Sequence, residues 1–360
     1  MEYPVLRIQP GPDNYYCHAG AINHLYDFFS KEQLSRALWI HGKRSGEAVG
    51  PYLPKEVSDG YLLEGHCTHE TVDALTARAK AADLVIGTGG GTVLDTAKAL
   101  SIASGKPFVS IPTIAATCAG WTPLSVWYTP QGKALGYELF PHGAFLVLVD
   151  PQIILDAPSV YLQAGVADTI AKWYEARILS EGRPILPLTA ELGVLTAKRI
   201  VEVLLEEGPA AFKAQKDGKL DPVFIKIVDA VIAGGGLVGG LGEKYTRVAA
   251  AHALHNGMSV LPETHDKLHG LKVAYGVLVQ AVLMNDEDEL IKLRKKFLTM
   301  GLPTSFRDLG VDPTDEAKID KVVAASLAPH ESMHLLPFPV DAKMVKDAIA
   351  KVESLSTKEA

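Results

Sequence analysis

The chain has 360 residues, 48% of them apolar and 21% charged, and carries a net charge of −7. That length is more than one compact core usually holds, and the mixture is that of an ordinary globular protein, so two domains are expected. The acidic balance excludes a general basic field for nucleic acid or an anionic membrane, but not a local basic pocket.

Read in chain order, Leu38-Trp39-Ile40 is a strand and a helical pattern follows over 71–82. Leu84-Val85-Ile86 is the next strand, and 92–103 the next helix. Strands at 108–111 and 145–149 complete the series, the last of them buried. Apolar strands alternating with helices predict a parallel α/β sheet covered on both faces. The texture changes at Asp150-Pro151. Beyond it, helical periodicity runs over 188–205, 223–232, 244–255, 272–284 and 344–355, with few β-branched runs. The expected organisation is an α/β domain over 1–155 and an all-α domain over 156–360. No internal repeat or low-complexity segment is present.

Three cysteines, Cys17, Cys67 and Cys118, form no C-x-x-C pair. So sparse and odd a set suits a reducing compartment. Met1-Glu2-Tyr3-Pro4 lacks the basic-then-apolar opening of a signal peptide, and no apolar run is read as approaching the roughly 18 to 20 residues of a membrane span. A cytoplasmic protein is expected.

The first chemical signal is Gly87-Thr88-Gly89-Gly90-Gly91-Thr92, set between a strand and a helix. Glycines let a backbone approach a pyrophosphate, and a helix start offers free N–H groups. Thr92 could cap that helix or bond a phosphate oxygen. A tight α/β turn has the same composition, and the spacing is not G-x-G-x-x-G. A second small-residue loop, Pro112 to Thr122, follows the next strand, where ligands of open α/β sheets sit.

The second signal is a histidine cluster: His252, His255, His265 and His269. His252 and His255 share a helix face, Gly257 and Pro262 break that helix, and His269 opens the next. Two imidazoles from different helices could thereby meet one metal ion. Each could equally be a surface or core histidine. Asp168, an acid in an apolar helix, is the candidate third ligand; as an N-terminal helix charge it would need no metal.

These motifs together, G-T-G-G-G-T-V-L-D-T-A-K, Pro112-Thr113-Ile114-Ala115, the Asp168 helix and H-A-L-H-N-G…H-G, resemble the iron-containing alcohol dehydrogenase superfamily. The resemblance to glycerol dehydrogenase runs over the full length. PTIAATCAGWTPLSVWY, GVADTIAKWYEA and RVAAAHALHNG look closer still to the hydroxycarboxylate dehydrogenase A branch. The resemblance implies the group III alcohol dehydrogenase architecture, shared with dehydroquinate synthase: a dinucleotide-binding α/β domain, a helical metal- and substrate-binding domain, and an active site in the cleft between them. It implies metal ligation by Asp168, His252 and His269, pyrophosphate contact by Gly89, Gly90 and Gly91, and a nicotinamide end lined by Thr113, Thr122, Leu124 and Tyr128. The branch implies reduction of short 2-oxo acids with NADPH.

Two departures from glycerol dehydrogenase bear on specificity. Its loop reads T-D-A-P, with an aspartate for the polyol; here Cys118 follows Thr117. After the strand at 38–40, Lys43 and Arg44 stand where NAD-preferring members carry an acid, which favours NADP(H) over NAD(H) unless they are merely a solvated loop. Cys118 could also be a small buried residue that never meets substrate. His255 is the candidate proton relay or a packing residue behind the ligands. Two histidines and a carboxylate suit Zn²⁺ or Fe²⁺. Trp121 and Trp127 are expected to narrow the substrate pocket. The competing readings are an NAD-linked polyol dehydrogenase, a dehydroquinate synthase-type lyase, for which Lys244, Arg247, Lys267 and Lys272 are too few cations, and a metal-free nucleotide-binding protein. The partner expected is a small carbonyl or alcohol, without nucleic acid or membrane, in a possible homo-oligomer.

Overall fold

The structure, a computed structural model, describes residues 4–356. Met1, Glu2 and Tyr3, on which the signal-peptide reading partly rested, lie outside the described residues. The chain divides into two compact units that interleave in sequence. One gathers Gln9–Leu162 and Lys213–Gly240; the other gathers Gln163–Phe212, Leu241–Ala360 and Met1–Ile8, as far as these are described. The organisation is therefore not a single break at 155/156, since residues 213–240 return to the first unit.

The first unit holds eight strands: β1 (Asn14–Cys17), β2 (Ala37–His41), β3 (Gly60–Leu62), β4 (Leu84–Gly89), β5 (Phe108–Pro112), β6 (Leu124–Tyr128), β7 (Ala134–Leu139) and β8 (Leu146–Val149). Six form one sheet in the order β1-β8-β5-β4-β2-β3, with every pairing parallel. The helices α1 (Lys43–Val49), α2 (His69–Ala81) and α3 (Gly91–Ser104) connect its central strands. Every residue of β4, β5 and β8 is buried, as a sheet covered on both faces requires. Leu84, Ile86, Val109, Ile111, Leu146 and Leu148, at alternate positions, form one face of that core. β6 and β7 pair antiparallel as a separate hairpin. β1, β3 and this hairpin have no counterpart among the expected strands.

From residue 150 on, the described elements are helical, as expected. α4 (Ser159–Ser180), α5 (Leu188–Lys216), α6 (Pro222–Asp229), α7 (Ala250–Met258), α8 (His269–Leu283) and α9 (Ala342–Ser356) are the principal ones for this account. Pro222–Tyr245 is a continuous helical stretch of 24 residues with a hydropathy of 1.7 in its most apolar window. By length and composition it could cross a membrane, which corrects the expectation that no run reaches that length. Lys226 and Asp229 interrupt the apolar letters and hid it. The window is 56% buried inside the protein, as a core helix would be.

The helix expected over 244–255 begins only at Ala250. Glu243 adopts a left-handed backbone (φ 48°) and opens a short 3₁₀ turn, Glu243–Tyr245. Gly257 does not break α7, which runs through it to Met258; the break comes at the Pro262–Thr264 turn.

Candidate metal centre and dinucleotide site

In the second unit, small residues bring three helices to backbone contact. A Cβ on Gly270 would collide with the Ala164 carbonyl of α4, and one on Gly276 with the Ala251 carbonyl of α7. The first turn of α8 thereby packs against α4, and its body against α7. Asp168 of α4, His252 of α7 and His269 of α8 converge as a result. Asp168 lies mid-helix, so the helix dipole does not account for it. It is 4% exposed. Its Oδ1 is 3.4 Å from His252 Nε2 and 3.2 Å from His269 Nε2. One donor atom from each of the three residues lies within 4.8 Å of the other two.

The ring protons can be counted. His252 Nδ1 is 2.7 Å from Glu175 Oε2, so it carries its hydrogen there. His255 Nδ1 donates to Asn256 Oδ1 at 2.9 Å; the amide is oriented because its Nδ2 donates to Glu331. His255 Nε2 is then an acceptor, and His269 Nδ1, 2.9 Å away, donates to it. Three neutral imidazoles have now spent three hydrogens. The Nε2 atoms of His252 and His269 are left as lone pairs facing a carboxylate. With a divalent cation between them these three atoms are its donors; without one, a second proton on His252 bridges it to Asp168. The donor set fits such an ion.

The electrostatics follow. Burial works against a charged His252, but the carboxylates of Glu175 and Asp168 outweigh it and push its pKa up to about 10. Burial would raise Asp168, yet its two histidine partners hold it well below the usual carboxylate range. Burial, then His269, keeps His255 well below the usual imidazole range. His265 stands apart, exposed, with Nε2 against the Ser259 carbonyl at 3.2 Å.

Sequence reasoning missed Glu175. It is fully buried, and its Oε1 also accepts from the backbone N–H of Ala249 and His252 at 2.7 and 3.0 Å. The available signal was its place two helical turns after Asp168, on the same face of α4. Arg247 was also missed as a site residue. It is half-buried, its Nε is buried without a partner, and no described residue bonds or pairs with its guanidinium.

In the first unit, β2 and β4 are neighbours. The chain leaves β2 for β3 on one side and β4 for β5 on the other. The carboxyl ends of β2 and β4 thus flank the point where strand order reverses, the ligand crevice of open α/β sheets. Lys43 and Arg44 follow β2 in the first turn of α1, both exposed. Gly89, Gly90 and Gly91 follow β4, and Gly90 is the N-cap of α3 without a side-chain cap bond. Thr92 therefore does not cap; it lies inside the first turn. A cavity runs from Gly90 and Gly91 to the loop after β5, at Ala116, Thr117 and Ala119. The Thr113 N–H donates to the Gly89 carbonyl at 3.1 Å and joins the two loops.

A buried ion pair organises that loop. Lys98, 1% exposed, donates to Asp95 Oδ1 at 3.2 Å and to the carbonyls of Ala119 at 2.9 Å and Leu124 at 2.5 Å. Asp95 Oδ2 accepts from Val126 N–H at 3.1 Å. Burial raises the Asp95 pKa, and Lys98 opposes that rise. Thr122, Leu124 and Tyr128 are half-buried on the segment so held. Cys118 is half-buried in the loop, and its carbonyl accepts from Trp121 and Thr122 N–H at 2.9 and 3.1 Å.

A model of iron-containing alcohol dehydrogenase matches residues 12–151. Hydroxycarboxylate dehydrogenase A of Escherichia coli (strain K12) is 50% identical over 98% of this chain and 99% of that protein. A glycerol dehydrogenase of Thermotoga maritima is 35% identical over 93% of each. The crystal structure of a probable glycerol dehydrogenase from Sinorhizobium meliloti 1021 superposes with a TM-score of 0.86 at 30% identity, covering 98% of this chain and 99% of that one.

The chain belongs to the iron-containing alcohol dehydrogenase family. Within that family it is glycerol dehydrogenase-like, and it is an oxidoreductase of small molecules. Trp121 and Trp127, expected near the substrate pocket, are both buried. Trp121 turns inward: its ring meets Tyr15 edge-on at 5.0 Å, and its Nε1 donates to the Pro10 carbonyl at 2.7 Å. Trp127 stacks on His69 at 3.8 Å and donates to Glu138. Neither lines the cavity between the glycine turn and the β5 loop.

Proposed function

We propose that the protein is a metal-dependent reductase of short 2-oxo acids that uses NADPH in the cytoplasm. The metal requirement rests on one observation, the convergence of donor atoms of Asp168, His252 and His269 within 4.8 Å of one another. When bound, Zn²⁺ or Fe²⁺ supplies Lewis acidity toward a carbonyl oxygen, and a nicotinamide cofactor supplies the hydride. Glu175 fixes the tautomer of His252. His255 does the same for His269, which makes it a positioning residue and not the proton relay first considered. The amides at Gly89, Gly90, Gly91 and Thr92 receive the pyrophosphate, Lys43 and Arg44 the 2′-phosphate. Thr113, Thr122, Leu124 and Tyr128 line the nicotinamide. Cys118 leaves the substrate loop without a carboxylate.

The substrate class is supported by similarity to a hydroxycarboxylate dehydrogenase and by Arg247. Its segment is pinned behind His252 by the bond from Ala249 N–H to Glu175. An unpaired guanidinium beside the ligand helix suits a substrate carboxylate, which it can grip in a fork. The test is 2-oxobutanoate against its uncharged methyl ester, in wild type and Arg247→Leu. KM for the acid should rise more than 30-fold while the ester is unaffected. Equal changes for both would remove Arg247 from the reading. A wild type that oxidises glycerol with NAD and ignores 2-oxo acids would replace the reading with the polyol alternative.

A further inference from the structure

The edge strand β1 ends at Cys17, and the chain turns through His18 into the 3₁₀ turn Ala21–His24. The Gly20 N–H donates to Asp150 Oδ2 at 2.8 Å and ties this turn to the end of β8. His18 Nε2 and His24 Nε2 stand 2.9 Å apart. His18 Nδ1 is 2.9 Å from the Ala19 carbonyl. His24 Nδ1 is 2.6 Å from Asp27 Oδ2. Each of these three contacts needs a hydrogen between its atoms, and two neutral imidazoles carry only two. With both Nδ1–H groups donating, the two Nε2 atoms stand 2.9 Å apart with their lone pairs free. One cation, a shared proton or a metal ion, is lacking.

We propose that this cation is a divalent transition-metal ion held by Nε2 of His18 and His24, at a site that shares no residue with the Asp168 centre. Metal–imidazole bonds of about 2.0–2.1 Å subtend about 90° across a nitrogen separation near 2.9 Å, whereas a tetrahedral angle needs about 3.3 Å. The pair therefore offers two adjacent corners of a square-planar or octahedral sphere, which Cu²⁺ and Ni²⁺ prefer. Asp27 holds the His24 tautomer and raises its basicity, as carboxylates behind metal-bound histidines do. Tyr16 stacks on His24 at 3.8 Å and 17° and fixes the ring plane. His18 is exposed, so the ion has an open path and water completes its sphere. Occupied, the site clamps the 21–24 turn to the sheet edge.

The test is Cu²⁺ titration of the full chain, preloaded with Zn²⁺, followed by electron paramagnetic resonance and thermal unfolding. Wild type should take up one Cu²⁺ with a two-nitrogen signature and gain in Tm. His18→Ala and His24→Ala should each lose that signature and the gain, with circular dichroism and turnover unchanged. Asp27→Asn should bind about 10–100-fold more weakly. The proposal fails if either alanine variant keeps the wild-type stoichiometry and spectrum. It fails equally if wild type takes up no Cu²⁺, because the lacking charge is then a shared proton.

Discussion

Glu175 grips His252 twice, taking its Nδ1–H at 2.7 Å on one oxygen and its backbone N–H at 3.0 Å on the other. The carboxylate thereby sets both where α7 begins and which imidazole nitrogen is free. Glu175→Gln keeps the shape but no longer forces the tautomer, so metal affinity should fall about 10–100-fold. Measured metal content against free metal concentration should show this, with turnover restored at high metal. His269→Ala should strip the ion altogether, while His265→Ala should leave it in place. Normal loading of His269→Ala would refute the ligand set.

Cofactor choice is assigned to the pair after β2. Lys43→Ala with Arg44→Ala should lower kcat/KM for NADPH by one to two orders of magnitude and leave that for NADH within about threefold. The sign follows from charge: two cations favour a 2′-phosphate dianion and give little to a hydroxyl. Unchanged preference in the double variant would show the pair to be a solvated helix start.

Lys98 reaches from α3 to the carbonyls that frame the loop carrying Cys118, Thr122 and Leu124. Lys98→Met leaves the buried Asp95 charge without its partner, a loss of about 3–5 kcal/mol by analogy with other broken buried pairs. Thermal denaturation measures that loss. If the loop positions the cofactor as proposed, KM for NADPH should rise more than kcat falls. A variant with wild-type Tm and KM would deny the pair any organising role.

The sequence made the central strands legible because β4, β5 and β8 are buried throughout and each carries a short apolar run. β7 was illegible because five of its six residues are exposed, and β3 because it has three residues. His252 and His269 were legible as part of a histidine cluster around a helix break and Asp168 as an acid in an apolar helix, and the motif resemblance singled out these three; no spacing rule alone joins 168 to 252. Their support was harder to see. Glu175 and Glu331 are acids in sequence like any other, and only packing shows one oriented toward His252 and the other toward Asn256. The start of α7 was misplaced because the Ala249–Glu175 bond, not helix propensity, sets it.

Cys118 tests substrate charge. On the proposed reading a carboxylate at that position would face an anionic substrate, and two unit charges about 4 Å apart repel by roughly 4 kcal/mol at an effective dielectric of about 20. Cys118→Asp should therefore depress turnover of 2-oxobutanoate and 2-oxoglutarate by two to three orders of magnitude, with fold and metal content intact. Full activity on both acids would move substrate choice away from this loop.

The measurement closest to the central claim is steady-state NADPH oxidation with a panel of 2-oxo acids. It is run on metal-loaded protein, on protein stripped by chelator, and on stripped protein reloaded with Zn²⁺ or Fe²⁺, with glycerol and NAD as the opposing pair. The account predicts turnover of short 2-oxo acids, loss on stripping, and recovery on reloading. Turnover that survives complete removal of the metal, or that occurs with glycerol and NAD alone, would contradict it.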